Sequence, residues 1–351
     1  MTNESQKTGF GDSLHATWRS ETKRHRVAKE IVRGWRSLTG DAKDASTLVA
    51  CSGGADSSAL AIALAGYAAS ERNDARIVLA HVIHDMRART VALGDRDTVR
   101  ELAVKLGVEL VEAEIVIEQG SNAEASARVE RYKALKNLAK KEGLPFVATA
   151  HHADDQFETV LMGLLRGSGP RGLRGVSAER KLGSSVTLIR PMLDITRDEI
   201  ELYLRHLGVE WVEDATNQDT DKFRAGLRHG PVRDLLRMRP GSARRAARTA
   251  MLMDDVVTLI EARARRVFGK EFSWDRKDLA SEVGIVIAEG LRRAALKQTN
   301  GKGEDRLTGE VLDAVVDAVK DESGESRSFD WPLGITVEVT KSTVSMSREN
   351  A

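Results

Sequence analysis

Residues 52–57, with the sequence Ser-Gly-Gly-Ala-Asp-Ser, carry the residue types that bind phosphate. Two glycines let a ligand approach the backbone closely, and the helix predicted to follow offers free N–H groups and the positive end of its dipole to an anion. Asp56 would repel phosphate unless Mg²⁺ lies between them, so this residue predicts a bridging metal ion. The alternative is a tight turn in which serine and aspartate only cap the helix.

Two further pairs of residues are spaced for chemistry. Arg128 and Arg131 lie three apart, and therefore on one face of a predicted helix, where guanidinium groups can bind phosphate. Asp155 and Glu158 lie about one turn apart at the start of another predicted helix, where they can form a negative pocket for a cationic substrate. The alternatives are a solvated helix face for the arginines, and acids stabilised by the helix dipole for Asp155 and Glu158.

Strands and helices alternate through the first half of the chain, which predicts a parallel sheet covered by helices. The predicted strands cover residues 47–51, 76–82, 109–117 and 145–150, and the predicted helices cover 14–38, 56–69, 95–106, 123–141 and 154–165. In such sheets ligands bind beyond the carboxyl ends of the strands. The polar segments named above fall there, so we expect them to meet at one edge of the sheet.

The second half of the chain has a different pattern. A basic, glycine-rich loop at 167–175 precedes a predicted helix at 196–207, and residues 222–270 hold thirteen Lys or Arg against four Asp or Glu. The predicted elements beyond are helices at 282–298 and 309–320 and strands at 326–330, 335–339 and 343–347. We therefore predict a tail over 1–13, a catalytic domain over 14–232, and a helical connection with a small C-terminal domain over 233–351.

Composition narrows the class of protein. The 351 residues include 54 Lys or Arg and 53 Asp or Glu, so any surface that attracts nucleic acid must be local. A single cysteine, Cys51, excludes an intrachain disulfide and any cluster held by several cysteines of one chain. With no apolar stretch resembling a signal peptide or a membrane span, we expect a soluble, cytoplasmic protein. The sequence leaves open whether it acts as a monomer or a homodimer.

Several segments, in order along the chain, resemble the tRNA(Ile)-lysidine synthetase family, which belongs to the N-type ATP pyrophosphatases. The loop at 52–57 resembles the pyrophosphate loop of that superfamily. The other matching segments are His-Val-Ile-His-Asp-Met-Arg at 81–87, the arginine helix at 122–132, His-His-Ala-Asp-Asp-Gln-Phe-Glu-Thr at 151–159, the basic loop from Arg166, and Arg-Pro-Met-Leu at 190–193. The resemblance covers about residues 48–215. It implies an α/β chain, with a Rossmann-like parallel-sheet domain followed by a helical region and a small α/β domain.

The resemblance also implies a reaction and its participants. ATP, with Mg²⁺, would adenylate the wobble cytidine of tRNA(Ile) with a CAU anticodon, and free L-lysine would then displace AMP. The implied catalytic residues are Asp56, which would also bind the metal, Arg128 and Arg131. The implied nucleotide-binding residues are Ser52, Gly53, Gly54, Ala55, Asp56, Ser57, His81 and His151, and the implied lysine-binding residues are Asp155 and Glu158. We assign tRNA contacts to the basic segments through Arg166, Arg171, Arg228, Arg244, Arg245 and Arg248; the alternative is that these arginines coat an exposed helix.

Two segments depart from the family pattern, and in the first of them Ile83 and Asp85 replace the expected Asn and Gly. Where the family has Arg-Asn-Arg-Ile-Arg-His, residues 224–229 read Arg-Ala-Gly-Leu-Arg-His. The contacts of the absent Asn and Arg must be replaced or lost. Two other functions stay open at this point: a tRNA thiolase of the same superfamily, which the single cysteine disfavours, and a non-catalytic nucleotide- or RNA-binding relative.

Overall fold

A six-stranded, mainly parallel sheet organises the N-terminal part of the chain. The computed structural model describes residues 24–40, 45–69, 75–84, 89–117, 123–211 and 223–349, together with Trp18 and Ser20. The strands of this sheet are β1 (Thr47–Ala50), β2 (Ile77–His84), β3 (Glu109–Ile115), β4 (Phe146–Ala148), β5 (Glu179–Lys181) and β6 (Thr187–Ile189). Their order is β3-β2-β1-β4-β6-β5, and β5 runs antiparallel to β6 while the other pairs are parallel.

Helices cover both faces of this sheet. The helices that pack on it are α1 (Arg26–Thr39), α2 (Ala55–Ala68), α3 (Arg89–Leu106), α4 (Ala123–Lys141) and α7 (Arg197–His206). The chain also forms α5 (Ala153–Leu165), α6 (Pro170–Leu173), α8 (Phe223–Leu227), α9 (Arg233–Met238) and α10 (Ser242–Phe268). Successive residues of β1 point to opposite faces of the sheet and pack in two different hydrophobic cores. Val49 packs with α1, α2, α3 and α7, whereas Leu48 packs with α4. Burial on both faces explains why the central strands read as short apolar runs.

The strand order places a crevice at the carboxyl ends of β1 and β4. From β1 the chain moves outward through β2 to β3, and then returns to the other side of β1 to form β4. The loops that leave β1 and β4 therefore turn to opposite faces of the sheet and open a gap between them, which is where ligands bind in open α/β sheets. These loops carry residues 52–57 and 149–155.

The C-terminal part of the chain has its own core. Here α12 (Gly284–Gln298) and α13 (Gly309–Lys320) follow α11 (Arg276–Ala280), and they pack on an antiparallel sheet. Its strands are β7 (Ser273–Asp275), β8 (Arg327–Trp331), β9 (Ile335–Val339) and β10 (Thr343–Arg348), in the order β7-β10-β9-β8. The chain divides into two compact units, Met1–Gly163 with Gly175–Ala250, and Leu164–Arg174 with Met251–Ala351.

The predicted α/β class, a mainly parallel domain followed by helices and a small C-terminal sheet, is confirmed. The hairpin of β5 and β6 and the short strand β7 were not predicted. The predicted tail at 1–13 lies outside the described residues, and the boundary between residues 232 and 233 stays a prediction. No helix in the described ranges is both long and apolar enough to cross a lipid bilayer.

We predict that Gly34→Ala destabilises the protein. Gly34 lies in α1, and an added Cβ would stand 2.2 Å from the backbone oxygen of Pro191, which cannot rotate away. The expected loss in the free energy of unfolding is about 2–3 kcal/mol, measured by urea denaturation. Gly94→Ala in α3 is the matched control, because no heavy atom of the described residues lies within 4 Å of its added Cβ. This control should gain up to about 1 kcal/mol from helix propensity. Equal stability of the two variants would contradict the packing of α1 against Pro191.

Candidate active site

The 52–57 loop joins β1 to α2 in a conformation that requires its glycine. Gly53 has a φ of +85°, and an added Cβ would lie 3.4 Å from the Asp95 backbone oxygen. Ser57 fixes the loop, since its Oγ accepts a hydrogen bond from the Ser52 N–H at 3.1 Å and donates one to the Gly54 oxygen at 3.1 Å. The backbone N–H groups at the first turn of α2 can therefore bind an anion.

A cleft of about 380 Å³ lies at this edge of the sheet. The predicted site residues that line it are Ser52, Gly54, Asp56, Ser57, His81, Arg128, Arg131, His151 and Asp155. Gly53 and Ala55 belong to the same loop, and Glu158 lies one turn beyond Asp155 on α5. Residues from four separate sequence segments therefore meet in one cavity, as the strand ends predict.

Two histidines of the site line the cleft, and one of them is neutral. His81 Nδ1 lies 2.9 Å from the Cys51 backbone oxygen; because a carbonyl oxygen only accepts, Nδ1 carries the proton. His151 lines the cleft and lies 3.1 Å from the Thr149 hydroxyl. Burial lowers the pKa of His151 to about 3, so its ring is uncharged at neutral pH.

His152 is the functional candidate that the sequence analysis missed. Its ring nitrogens lie 3.5 Å from Asp56, 3.5 Å from Asp154 and 3.6 Å from Asp155. Burial alone would lower the pKa of His152, but these carboxylates together raise it well above its ordinary value. The adjacent histidines His151 and His152 therefore carry different charges, and His152 links the acid of the 52–57 loop to the acids of α5.

Asp56 has an oxygen that the protein leaves unsatisfied. Its Oδ2 faces His152, whereas its Oδ1 is buried and accepts no hydrogen bond within the described ranges. A buried carboxylate oxygen without a partner is costly. The side chain lines the cleft beside the phosphate-type loop, where a cation would satisfy that oxygen.

Arginines contact the acidic pair of α5. Glu158 is buried and pairs with Arg228, whose Nη2 lies 2.8 Å away, and with Arg224 at 3.3 Å. Arg228 also lies 3.2 Å from Asp155. Arg224 and Arg228 belong to the second segment that departs from the family pattern, and Arg228 begins a π-helical turn, Arg228–Val232, that contains Pro231. The structure thus places Arg228, expected to contact tRNA, against the predicted lysine pocket.

The charges of this cluster do not cancel. Its carboxylates are those of Asp56, Asp154, Asp155 and Glu158, and its cations are His152, Arg224 and Arg228. Arg197 also interacts with Asp56, but it pairs with Glu201 at 3.1 Å and so leaves the sum unchanged. One formal negative charge is left over in a largely buried place. The cluster can therefore accept one further cation, such as an ammonium group.

Comparison with known proteins places this site in a family. Residues 25–235 match the family model of the PP-loop domain. A tRNA(Ile)-lysidine synthase of Rhodopirellula baltica is 32% identical over 293 residues, which make up 78% of this chain and 74% of that relative. The chain belongs to the tRNA(Ile)-lysidine synthase family. The resemblance seen in the sequence is confirmed, and membership makes this chain an ATP-using, tRNA-modifying enzyme.

Other tRNA(Ile)-lysidine synthases match shorter parts of the chain. That of Pseudomonas fluorescens is 36% identical over 64% of this chain and 51% of its own length, so the chain spans about half of this relative. Among solved structures, the U34-tRNA thiolase NcsA of Methanococcus maripaludis superposes with a TM-score of 0.55 over 66% of this chain and 81% of its own, at 20% identity. That likeness shows a shared fold.

The arginines of α10 that are expected to bind tRNA differ in their ion pairs and in their exposure to solvent. Arg244 pairs with Glu199 at 2.7 Å and with Glu30 at 3.4 Å. Burial would raise the pKa of Glu199, but hydrogen bonds from Arg26, Thr196 and Arg244 lower it to about 2. Arg244 therefore stabilises the fold of this lysidine synthase relative, and Arg245 and Arg248 are the exposed members of the group on α10.

The two remaining arginines lie in the second unit. Arg166 is exposed, directly after α5. Arg171 reaches three carboxylates, those of Glu261 at 2.9 Å, Glu304 at 3.3 Å and Glu289 at 3.5 Å. These ion pairs hold the basic loop of the family pattern within the second unit, and leave Arg166 as its more accessible cation.

Proposed function

We propose that this enzyme uses ATP to join lysine to the 2-position of the wobble cytidine in tRNA(Ile) with a CAU anticodon, in the cytoplasm. The observation that carries the proposal is a single cleft in which a phosphate-type loop and an acidic, amine-accepting cluster meet, with His152 within 3.6 Å of Asp56 and Asp155. Activation by ATP and capture by an amine need these two features side by side.

In the first step, the cytidine O2 attacks the α-phosphate of ATP, the bond from the α-phosphorus to the bridging oxygen breaks, and pyrophosphate leaves. The 52–57 loop would bind the leaving phosphates through backbone N–H groups and the hydroxyls of Ser52 and Ser57. Arg128 and Arg131, which line the same cleft, would stabilise the charge that develops on the phosphate oxygens. His81 would contact the nucleotide, and neutral His151 would do so without adding charge.

The carboxylate of Asp56 fits a role in holding Mg²⁺. Within the described residues no three His, Cys, Asp or Glu side chains group as a metal site. Protein-bound Mg²⁺ keeps several waters and is held by one or two carboxylates plus substrate phosphates, so the unsatisfied Oδ1 of Asp56 meets that need. The ion would neutralise the charge of the leaving pyrophosphate.

In the second step, an amine nitrogen of lysine attacks C2 of the adenylated cytidine, the bond from C2 to the original O2 breaks, AMP leaves with that oxygen, and the amine loses a proton. The other charged ends of lysine need partners while this occurs. The carboxylates of Asp155 and Glu158 on α5 would bind an ammonium group of lysine.

Pyrophosphate release with tRNA and lysine separates this proposal from its rivals. Lysidine synthesis predicts release of AMP and pyrophosphate, with lysine consumed in equal amount. A thiolase would release pyrophosphate and AMP with a sulfur donor and no lysine. It would also need reactive cysteines, whereas burial raises the pKa of the single thiol, Cys51. Absence of any release with tRNA, ATP and lysine would refute the proposal.

We further propose that exposed arginines of α10 contact the RNA backbone, and predict the effect of Arg245→Ala with Arg248→Ala. Each lost phosphate contact should weaken tRNA binding and make the negative slope of log affinity against log salt shallower by about 0.9. The ATP KM should stay constant. Filter binding across a salt series measures this. Arg244→Ala is the contrasting variant, because losing the partner of Glu199 should reduce stability instead. An unchanged slope in the double variant would place the RNA on another surface.

A further inference from the structure

Three arginines from separate segments of the chain lie near Tyr132. The guanidinium carbons of Arg128, on α4, and Arg180, on β5, lie over that ring at 5.4 and 4.8 Å from its centroid. Arg190 follows β6 and is buried; its Nη1 donates to the Ser177 backbone oxygen, and its Nε has no hydrogen-bond partner within the described ranges. The face of an aromatic ring attracts such cations electrostatically.

This arginine group lacks carboxylate partners. In the part of the chain that the structure describes, no ion pair joins Arg128, Arg180 or Arg190 to an acid. The helix α4 adds to the field, with six basic and two acidic residues. Burial lowers the pKa of Arg190, the neighbouring Tyr132 hydroxyl raises it, and the charges of Arg128 and Arg180 lower it again. Three like charges around one ring repel one another. A bound anion would relieve that repulsion.

The group extends from the cleft toward solvent. Arg128 and Tyr132 line the cleft, whereas Arg180 is exposed and lies on the edge strand of the sheet. From β1, which carries the 52–57 loop, to β5 there are three strand spacings, or about 14 Å. ATP phosphates held at the 52–57 loop are therefore remote from the backbone of β5. A polynucleotide whose base enters the cleft must carry phosphodiester groups past the cleft mouth.

We propose that Arg180, whose guanidinium lies over the Tyr132 ring, binds a phosphodiester group of the RNA strand whose cytidine enters the cleft. This inference rests on the proposed function. Phosphate contacts of this kind position a nucleic acid without reading its sequence. Arg180 would thus set how far the target cytidine reaches toward the α-phosphate.

The test compares Arg180→Ala, Arg180→Lys and Lys181→Ala. Lys181→Ala is the matched control, because it removes the same charge from the same strand. The Lys181 side chain points to the opposite face of β5, where its Nζ donates a hydrogen bond to the Thr187 hydroxyl at 2.9 Å. The probe is an RNA anticodon stem-loop with a CAU loop, titrated by fluorescence anisotropy over a salt series. For Arg180→Ala we expect RNA affinity about 5-fold weaker at 0.1 M salt. The negative slope of log affinity against log salt should become shallower by about 0.7. Arg180→Lys should retain the slope, and Lys181→Ala should change it by less than a third as much.

Two results would overturn the inference. One is an unchanged affinity and slope for Arg180→Ala. The other is a raised ATP KM for that variant with normal RNA binding, which would assign the arginine group to the triphosphate. The binding assay needs no turnover, so its outcome is independent of whether the wild-type enzyme consumes lysine. A wild-type protein without lysine-dependent turnover would refute the proposed function and leave the RNA slope of Arg180→Ala as a separate result.

Discussion

Asp56→Asn is expected to lower the rate of pyrophosphate release by about 10²–10³-fold while the protein stays folded. Asparagine keeps the shape of the side chain and an oxygen facing His152, but removes the charge that a bridging cation requires. The buried Oδ1 of Asp56 lacks a partner within the described residues, so no protein hydrogen bond is lost there. Pyrophosphate release and urea denaturation of the same preparation measure the two parts of this prediction.

Asp97→Asn is the charge-matched control for Asp56→Asn. Asp97 lies on α3, is exposed, and pairs with Arg96 at 3.1 Å. Because an exposed ion pair contributes little, this variant should match wild type in both rate and stability. Wild-type turnover by Asp56→Asn would show that Asp56 neither binds the metal ion nor stabilises the leaving group.

Glu158→Gln is expected to raise the lysine KM by about tenfold or more and leave the ATP KM within about twofold. The substitution removes one negative charge from the predicted lysine pocket, and so weakens the attraction for an ammonium group. It also leaves Arg228 short of a buried partner, so a lower free energy of unfolding is expected alongside the kinetic effect. Steady-state kinetics with lysine and with ATP as the varied substrate separate these effects.

Arg224→Ala provides a control of opposite sign. Arg224 pairs with the same carboxylate at 3.3 Å, and its side chain is 42% exposed, so its loss should cost little stability. The cluster would then carry one more uncompensated negative charge, and the lysine KM should stay equal or fall. A lysine KM that stays constant in Glu158→Gln would place the lysine pocket elsewhere.

The wild-type enzyme should also discriminate against ornithine, which is one methylene shorter than lysine. The difference in kcat/KM should correspond to about 1–3 kcal/mol.

Elements with strong periodicity or clear end signals could be predicted from the sequence. The helices Ala123–Lys141 and Gly309–Lys320 and the strand Ile335–Val339 have the predicted bounds. The hairpin of β5 and β6 could not, because Glu179–Lys181 is charged and exposed throughout and shows no alternation of apolar and polar residues. Its position depends on pairing with β4 through β6, which is a tertiary effect.

The candidate site divides in the same way. Its residue types and their meeting point follow from glycine chemistry and from strand ends in a parallel sheet, so the cleft around Asp56, Arg128 and His151 was predicted. The pairing within it was not, because Arg228 is about 70 residues from Glu158 along the chain. For His152 a signal existed, since Asp154 and Asp155 follow it closely, but its third carboxylate, Asp56, comes from another strand end.

Mass spectrometry of nucleosides from tRNA treated with the purified enzyme tests the central claim most directly. A tRNA(Ile) transcript with a CAU anticodon is incubated with ATP, Mg²⁺ and lysine, digested, and compared with reactions that lack ATP or lysine. We predict a cytidine whose mass has increased by that of lysine less water, formed only when ATP and lysine are both present, and lost with Asp56→Asn. ATP consumption on this tRNA that leaves every cytidine unmodified, or adds sulfur instead of lysine, would contradict the account.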